Sequence, residues 1–375
     1  LEHLEVRKLG RVNLIVGKNN SGKSTVLEAL QIYAGNANRP LLERIARGHG
    51  ERYQVQEVES LDDDTILPFQ DFFTGRRFPQ DRTTAIEVGT INDPSSRLTV
   101  QYAFLEEVEE TVADVQEGAV SRVRRRLLSM EEAVQTQAEL QPVFLVQKGD
   151  KAWPLIPLVA PSQRARVLYD SIPTLPCSTI PTEFISMDEL ADAWDAVALT
   201  DQEEVVKRAL RIIAPEFESL VFVRAEGASL NSLRPRSPMR TAMVMLKGMA
   251  RPVPLNSLGD GMLRVLQLSL KLFAAKGGFF LIDEFENGLH YSIQEKVWAL
   301  LFEIAERYDI QVFATTHSWD CIESFTQVAI GRTETDGVLF RLGRSVRTSD
   351  HGKIIATVFD EVALQNITQT DMEVR

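Results

Sequence analysis

Gly17-Lys18-Asn19-Asn20-Ser21-Gly22-Lys23-Ser24 follows the pattern G-x-x-x-x-G-K-[ST]. Glycines in such a loop let backbone N–H groups close around phosphate oxygens, and the helix that follows adds the positive end of its dipole. Lys23 then reaches the β- and γ-phosphates of a nucleoside triphosphate and Ser24 offers its hydroxyl to Mg²⁺, with Asn19, Asn20, Ser21, Gly22 and Thr25 completing the cradle. Far along the chain, Phe279-Phe280-Leu281-Ile282-Asp283-Glu284 is an apolar run closed by two carboxylates. A carboxylate pair at the C-terminal end of a buried parallel strand lies where α/β sheets bind their ligands. Asp283 suits the Mg²⁺ shell, and Glu284 suits activation or positioning of an attacking water. Thr315-Thr316-His317-Ser318 closes the next apolar run, where His317 can donate a hydrogen bond to a γ-phosphate and so distinguish ATP from ADP. Ser257-Leu258-Gly259-Asp260-Gly261-Met262 precedes a helical stripe. Small residues at a helix start leave N–H groups aimed at an anion, while Ser or Asp there also caps a helix without any ligand. The chemistry these residues share is transfer of a γ-phosphoryl group from ATP to water, with Lys23, Glu284 and His317 as its catalytic groups.

These groups need strands and helices that bring them to one place. Val12 to Val16 is a short apolar run before Gly17, and Ser24 to Ala34 carries Val26, Leu27 and Leu30 at helical spacing, so strand, loop and helix are expected in that order. Phe279 to Ile282 and Ile310 to Ala314 are wholly apolar, as strands buried on both faces of a parallel sheet are. Leu289, Ile293, Val297, Leu300 and Ile304 predict a helix between them, and Leu263, Leu266, Leu270 and Phe273 predict one after Gly261. In the middle, period-two apolar residues from Thr84 to Phe104 around Asn92-Asp93-Pro94-Ser95 predict an antiparallel hairpin, and Val143 to Ile156 a second one turning at Lys148-Gly149-Asp150. Glu106 to Leu140, rich in Glu, Gln, Ala and Arg, and Met187 to Ile213 both predict helix. Val328 to Ile330 and Val338 to Leu342 predict two last strands. The expected division is an N-terminal part of the ATPase domain (1–105), a mainly helical insertion with a short hairpin (106–250) and a C-terminal part of the ATPase domain (251–375).

The four motifs stand in the order of the ABC-type ATPases: phosphate loop, glycine signature, Asp-Glu strand and histidine switch. The strings Leu-Ile-Asp-Glu-Phe-Glu-Asn-Gly-Leu-His and Ala-Thr-Thr-His-Ser resemble the AAA-type ATPases related to the overcoming-lysogenization-defect (OLD) family and to RecF-like and SMC-like proteins. The close resemblance covers about the first forty residues and Pro252 to Phe325. It implies an α/β fold with the mixed sheet of an ABC-type P-loop ATPase and an antiparallel β subdomain. It also implies a homodimer or higher oligomer in which each ATP is sandwiched between one copy's phosphate loop and the other's signature. Ser257, Gly259 and Gly261 would then act in trans, with Asn287 and Gly288 along the dimer contact. Where many relatives carry Ser in the signature this chain has Gly259, with Ser257 two residues earlier.

Composition narrows the class further. No apolar run approaches the ~18 residues of a membrane span, so the expectation is a cytoplasmic protein without membrane contact. A net charge of -12 argues against a protein that coats nucleic acid by bulk attraction. Local basic groups, Arg76-Arg77, Arg122 with Arg124 to Arg126, and Arg234 to Arg240, leave three readings open: solvated faces, docking of a partner, or nucleic acid. Asp62-Asp63-Asp64 reads as an acidic loop rather than a metal site, and Cys177 and Cys321 as reduced, buried thiols. Within the OLD-like resemblance the expected role is an ATP-gated switch in nucleic-acid defence, including anti-phage defence, or repair. Only 58 residues follow His317 (375 − 317 = 58) and they hold no Asp-x-Asp pair. Any nuclease, such as one of Toprim type, is therefore expected on a separate effector protein. The alternatives are the nucleotide-binding subunit of an ABC transporter, whose usual LSGGQ differs from LGDGM here, and a slow nucleotide-sensing scaffold.

Overall fold

The computed structural model describes residues 1–50, 67–114, 118–136, 138, 140–158, 173–224, 240–332, 336–345 and 352–359. The chain opens with β1 (Val12–Val16), α1 (Lys23–Ala34) and α2 (Arg39–Gly50). There follow β2 (Ala85–Val88), β3 (Leu98–Asp114), β4 (Gly118–Leu128), the short helix α3 (Met130–Val134), β5 (Leu140–Lys148), β6 (Lys151–Ala152) and β7 (Ile156–Pro157). Next come β8 (Cys177–Ile180), α4 (Met187–Val197), α5 (Asp201–Leu210), β9 (Phe217–Arg224), β10 (Arg240–Leu246) and β11 (Val253–Pro254). The last stretch runs α6 (Asp260–Phe273), β12 (Phe279–Ile282), α7 (Tyr291–Arg307), β13 (Gln311–Thr316), α8 (Trp319–Ile330), β14 (Gly337–Arg344) and β15 (Ile354–Phe359). The chain divides into two compact units, one made of Leu1, His3–Leu27 and Leu175–Arg375, the other of Glu2 and Glu28–Thr174.

The first unit is built on a six-stranded sheet in the order β15-β14-β1-β13-β12-β8, parallel except for β15 at one edge. All five residues of β1 are buried, as a strand covered on both faces must be, and this explains why the run carries no polar alternation beyond Asn13. The Asn13 amide is satisfied by Gly10 O at 2.9 Å and Val312 O at 3.1 Å, so its burial leaves no orphaned donor. Register places Val16 opposite Thr316, and Ile282 opposite Ala314. The C-terminal ends of β1, β12 and β13 therefore lie side by side, and Gly17, Asp283 and His317 each follow one of them. The core beneath includes Phe285 stacked on Trp298 at 3.7 Å, with Phe325 edge-on to the same indole. A three-stranded antiparallel sheet, β11-β10-β9, belongs to the same unit.

In the second unit, β2, β3, β5 and β6 form an antiparallel sheet around a core of Leu41, Phe69, Tyr102 and Phe144. Both predicted hairpins are present here, β2 with β3 and β5 with β6.

The helix expected from Glu106 to Leu140 is replaced over most of its length by β3 and β4, and among its described residues only Met130–Val134 is helical. Glu and Arg favour helix when considered one at a time. Here the register sets Glu106 against Arg126 and Glu107 against Arg125, and opposite charges across an antiparallel pair favour the ladder. Arg125 Nε donates to Glu107 Oε1 at 2.9 Å, so this arginine is neutralised by its own hairpin. Among its described residues the insertion at 106–250 is correspondingly not mainly helical. Met187–Ile213 breaks into α4 and α5 at Leu199, whose φ of 62° no helix accommodates and whose successor Thr200 caps α5. Val328 to Ile330 closes α8 rather than forming a strand, because Ile322, Phe325 and Ala329 continue a buried helical stripe. Cys321 is fully buried, but Cys177 is only half-buried, and both are free thiols. Asp62 to Asp64 and Arg234 lie outside the described residues. No helix among the described residues is long and apolar enough to cross a membrane.

Candidate active site

Gly17 ends β1 and turns the chain. A Cβ there would meet Leu342 O at 2.5 Å and Ser21 Oγ at 2.6 Å, so only glycine lets the loop fold back this tightly. Asn19 and Asn20 are exposed, and Asn20 adopts a left-handed φ of 61° at the apex of the loop. Ser21 is buried, and its Oγ has no hydrogen-bond partner among the described residues. Lys23 Nζ donates to Gly17 O at 2.8 Å and to Lys18 O at 3.2 Å. Burial pulls its pKa down from the ordinary lysine range, and the charges of Asp283, Glu284 and Glu286 oppose that pull. A cation held only by neutral loop carbonyls beside three carboxylates is placed to exchange those carbonyls for an anionic ligand. Ser24 and Thr25 are exposed in the first turn of α1.

Asp283 is where the elements meet. Ser24 Oγ donates to its Oδ2 at 3.1 Å, Thr315 Oγ1 to its Oδ1 at 2.5 Å, and Thr182 Oγ1 to its Oδ2 at 3.4 Å. The two motifs, 259 residues apart in sequence, are thus in hydrogen-bond contact. Next to it Glu284 has a left-handed φ of 49°. A non-glycine residue in that region costs about 1–2 kcal/mol and persists only when its surroundings enforce it. Here Glu284 N donates to Thr315 Oγ1 at 2.9 Å, while Arg264 donates to Glu284 O at 2.7 Å and to Asp283 O at 2.9 Å. His317 Nδ1 lies 3.7 Å from Glu284 Oε1 and 3.2 Å from Glu286 Oε1.

Arg264 holds this turn from below. It is fully buried on α6, and its third bond runs to Pro181 O at 2.9 Å. Burial pushes its pKa down to about 10, against the stabilising charges of Glu286, Asp283 and Glu284, so it remains a cation at neutral pH. Replacing it by methionine would keep much of the apolar stem and leave the Pro181 and Asp283 carbonyls without this donor, while Glu284 O keeps the backbone N–H of Asn287 at 3.0 Å. Arg264→Met is expected to lower unfolding stability by about 2–6 kcal/mol, at ~1–3 kcal/mol for each of the two unsatisfied buried carbonyls. Denaturant titration would read this as a lower midpoint with the slope unchanged, and a midpoint equal to wild type would refute the clamp.

Ser257, Gly259 and Gly261 gather at the start of α6, and their described hydrogen bonds are local. Ser257 Oγ donates to Pro254 O at 2.6 Å, and Gly259 N to Asn256 O. Gly259 has a φ of 92° with open space where a side chain would begin, so the backbone there is bare to an approaching ligand. Asn287 donates its side-chain amide to Thr182 O, and Gly288 is exposed.

Sequence reasoning gave no role to Thr315, Thr182, Arg264 or Glu286. A charged residue inside the otherwise apolar stretch Met262 to Leu266 was the available signal for Arg264, because an arginine in the core must be paired. Nothing in the sequence singles out Thr182.

A phosphate loop and a carboxylate strand joined at the ends of parallel strands of one sheet, with β13 between them, define a P-loop ATPase of the ABC/SMC-like class. The chain belongs to the family described as "AAA domain, putative AbiEii toxin, Type IV TA system", which it matches over residues 12–320. An ATP/GTP phosphatase of Helicobacter pylori (strain ATCC 700392 / 26695) is 24% identical over 343 residues, 85% of this chain and 82% of the relative. Among solved structures, an Smc head bound to the C-winged helix domain of ScpA is 14% identical, with a TM-score of 0.45 and coverage of 94% of this chain and 91% of that one. The SMC head domain of Thermotoga maritima is also 14% identical, with a TM-score of 0.37 and coverage of 93% and 90%.

Proposed function

We propose that this ATPase is an ATP-gated switch: two copies close around two ATP molecules, hydrolysis reopens them, and the closed state controls a separate effector in nucleic-acid-linked defence or repair. The observation that carries the catalytic part is the contact of Ser24 Oγ with the Asp283 carboxylate. A hydroxyl and a carboxylate oxygen are the donors a hard divalent ion takes, and the orphaned Ser21 Oγ and the carbonyl-held Lys23 beside them suit a phosphate chain. Mg²⁺ held by Ser24 and Asp283, directly or through water, would neutralise charge on the β- and γ-phosphate oxygens. Lys23 leaves Gly17 O and Lys18 O for those oxygens. Glu284 orients the attacking water and receives its proton, and its strained backbone fixes the carboxylate relative to the loop. His317 reads the γ-phosphate.

The dimer is supported by the exposed backbone at Gly259 and the exposed hydroxyl of Ser257 at the start of α6, which a second copy's nucleotide can reach, Ser257 Oγ and Gly259 N exchanging Pro254 O and Asn256 O for its oxygens. The defence role is supported by the words "putative AbiEii toxin, Type IV TA system" in the family's description. The relative named as an ATP/GTP phosphatase supports hydrolysis as the activity and leaves GTP as a second substrate to assay. The test of closure uses Ser257→Arg rather than a change at Gly261, where an added Cβ would press on Gly288 O at 3.1 Å and that backbone would have to shift. Ser257 is exposed, so the variant should bind ATP as wild type does and fail to dimerise with ATP on size exclusion. An ATP-dependent dimer with full turnover in Ser257→Arg would refute the trans-acting signature.

A further inference from the structure

We infer that Glu286 is the positioning residue for His317, holding the imidazole in the orientation from which it meets the γ-phosphate; this rests on the ATPase reading above. Glu286 lies three residues past Asp283, on the turn between β12 and α7, and is largely buried, its side chain 11% exposed. Its Oε1 accepts from the backbone N–H of His317 at 3.0 Å and of Ser318 at 3.1 Å, and stands 3.2 Å from His317 Nδ1. One oxygen thus receives the main chain and faces the ring of the same histidine.

A plain helix cap would account for part of this. Ser318, the residue before α8, makes no side-chain cap of its own, and Glu286 supplies an acceptor from another element. Ser318 N, however, already has Thr316 Oγ1 at 3.0 Å, so capping does not require the carboxylate to face the imidazole. The ring needs a holder. Its side chain is 55% exposed, and packing alone does not fix it. A hydrogen bond from Nδ1–H to this charged group, once the ring aligns, would be worth about 1.5–3 kcal/mol, more than the ~1 kcal/mol of rotamer freedom the ring gives up. Nδ1 is the ring nitrogen that stands 3.2 Å from the carboxylate, so a proton on Nδ1 faces Glu286 Oε1 and Nε2 is the nitrogen left for the nucleotide. Arg264, beneath the same turn, offsets the charge of a carboxylate so nearly buried.

The experiment is steady-state ATP turnover by the full chain with Mg²⁺, comparing wild type, Glu286→Gln, His317→Ala and the double variant. The amide oxygen of the introduced glutamine can still accept both backbone N–H groups, so the fold is retained while the charge facing the ring is lost. Glu286→Gln should lower kcat by about tenfold or more with KM for ATP changed by under about threefold, as for the outer partner of a functional histidine. In the His317→Ala background the same change should cost under about twofold, because a residue that acts through the ring has nothing left to act on. Glu286→Asp, which keeps the charge but withdraws it by one methylene, should lose turnover in wild type and not in His317→Ala, and it serves if the glutamine variant fails to fold. Equal losses in both backgrounds would overturn the inference and leave Glu286 a structural cap. His317→Ala with wild-type turnover would instead overturn the histidine's own role, and the inference with it.

Discussion

Lys23→Ala is expected to weaken ATP binding by about a hundredfold or more, the largest effect of any single change in the loop. Its Nζ is the cation that the loop folds back over its own backbone, where it donates to two neutral carbonyls, Gly17 O and Lys18 O. Exchanging them for phosphate oxygens replaces neutral bonds by charge-assisted ones, each worth about 1.5–3 kcal/mol. Losing two such bonds matches the ~2.8 kcal/mol of a hundredfold change. Alanine leaves the exposed start of α1 intact, so the variant should fold normally. Equilibrium titration with a fluorescent ATP analogue measures the effect directly. Binding at wild-type affinity would mean that the phosphates sit elsewhere.

Glu284→Gln is expected to bind ATP as wild type does and to hydrolyse it about 10²- to 10⁴-fold more slowly, the range general-base catalysis contributes. The substitution is clean for a structural reason. Thr315 and Arg264 hold residue 284 by its backbone N–H and carbonyl, so the strained turn survives a change confined to the side chain. A bound but uncleaved nucleotide should then hold two copies together. Size exclusion with ATP and Mg²⁺ should give a stable dimer for Glu284→Gln and a transient one for wild type. Hydrolysis at the wild-type rate would assign the base to another residue, and a variant that stays monomeric in saturating ATP would separate hydrolysis from closure.

The sequence was most informative where local pattern and buried position coincide. Val12 to Val16 and Phe279 to Ile282 are short, wholly apolar but for Asn13, and bounded by Gly17 and Asp283, so both strands and the candidate residues at their ends could be read directly. The hairpins at Thr84 to Phe104 and Val143 to Ile156 were legible for the same reason, since alternation with turn residues is a local property. Glu106 to Leu128 was not. Its composition favours helix residue by residue, and the strand is selected by glutamates and arginines that meet only once the hairpin has formed.

By itself, then, the sequence determined the class of chemistry: a phosphate loop, a carboxylate strand and a histidine, in an order set by types and spacings within short windows. Tertiary structure decided how those parts act as one site. Parallel pairing of β1, β12 and β13 brings Ser24 to Asp283, and it carries Thr315 to the backbone of Glu284. Packing of α6 places Arg264 under the carbonyls that hold Glu284 in its left-handed turn. These contacts join residues between 19 and 259 positions apart, and no local periodicity encodes them. They exist because strands whose every face is apolar can be buried only beside one another, and a buried polar group must then find its partner among whatever residues that burial brings near.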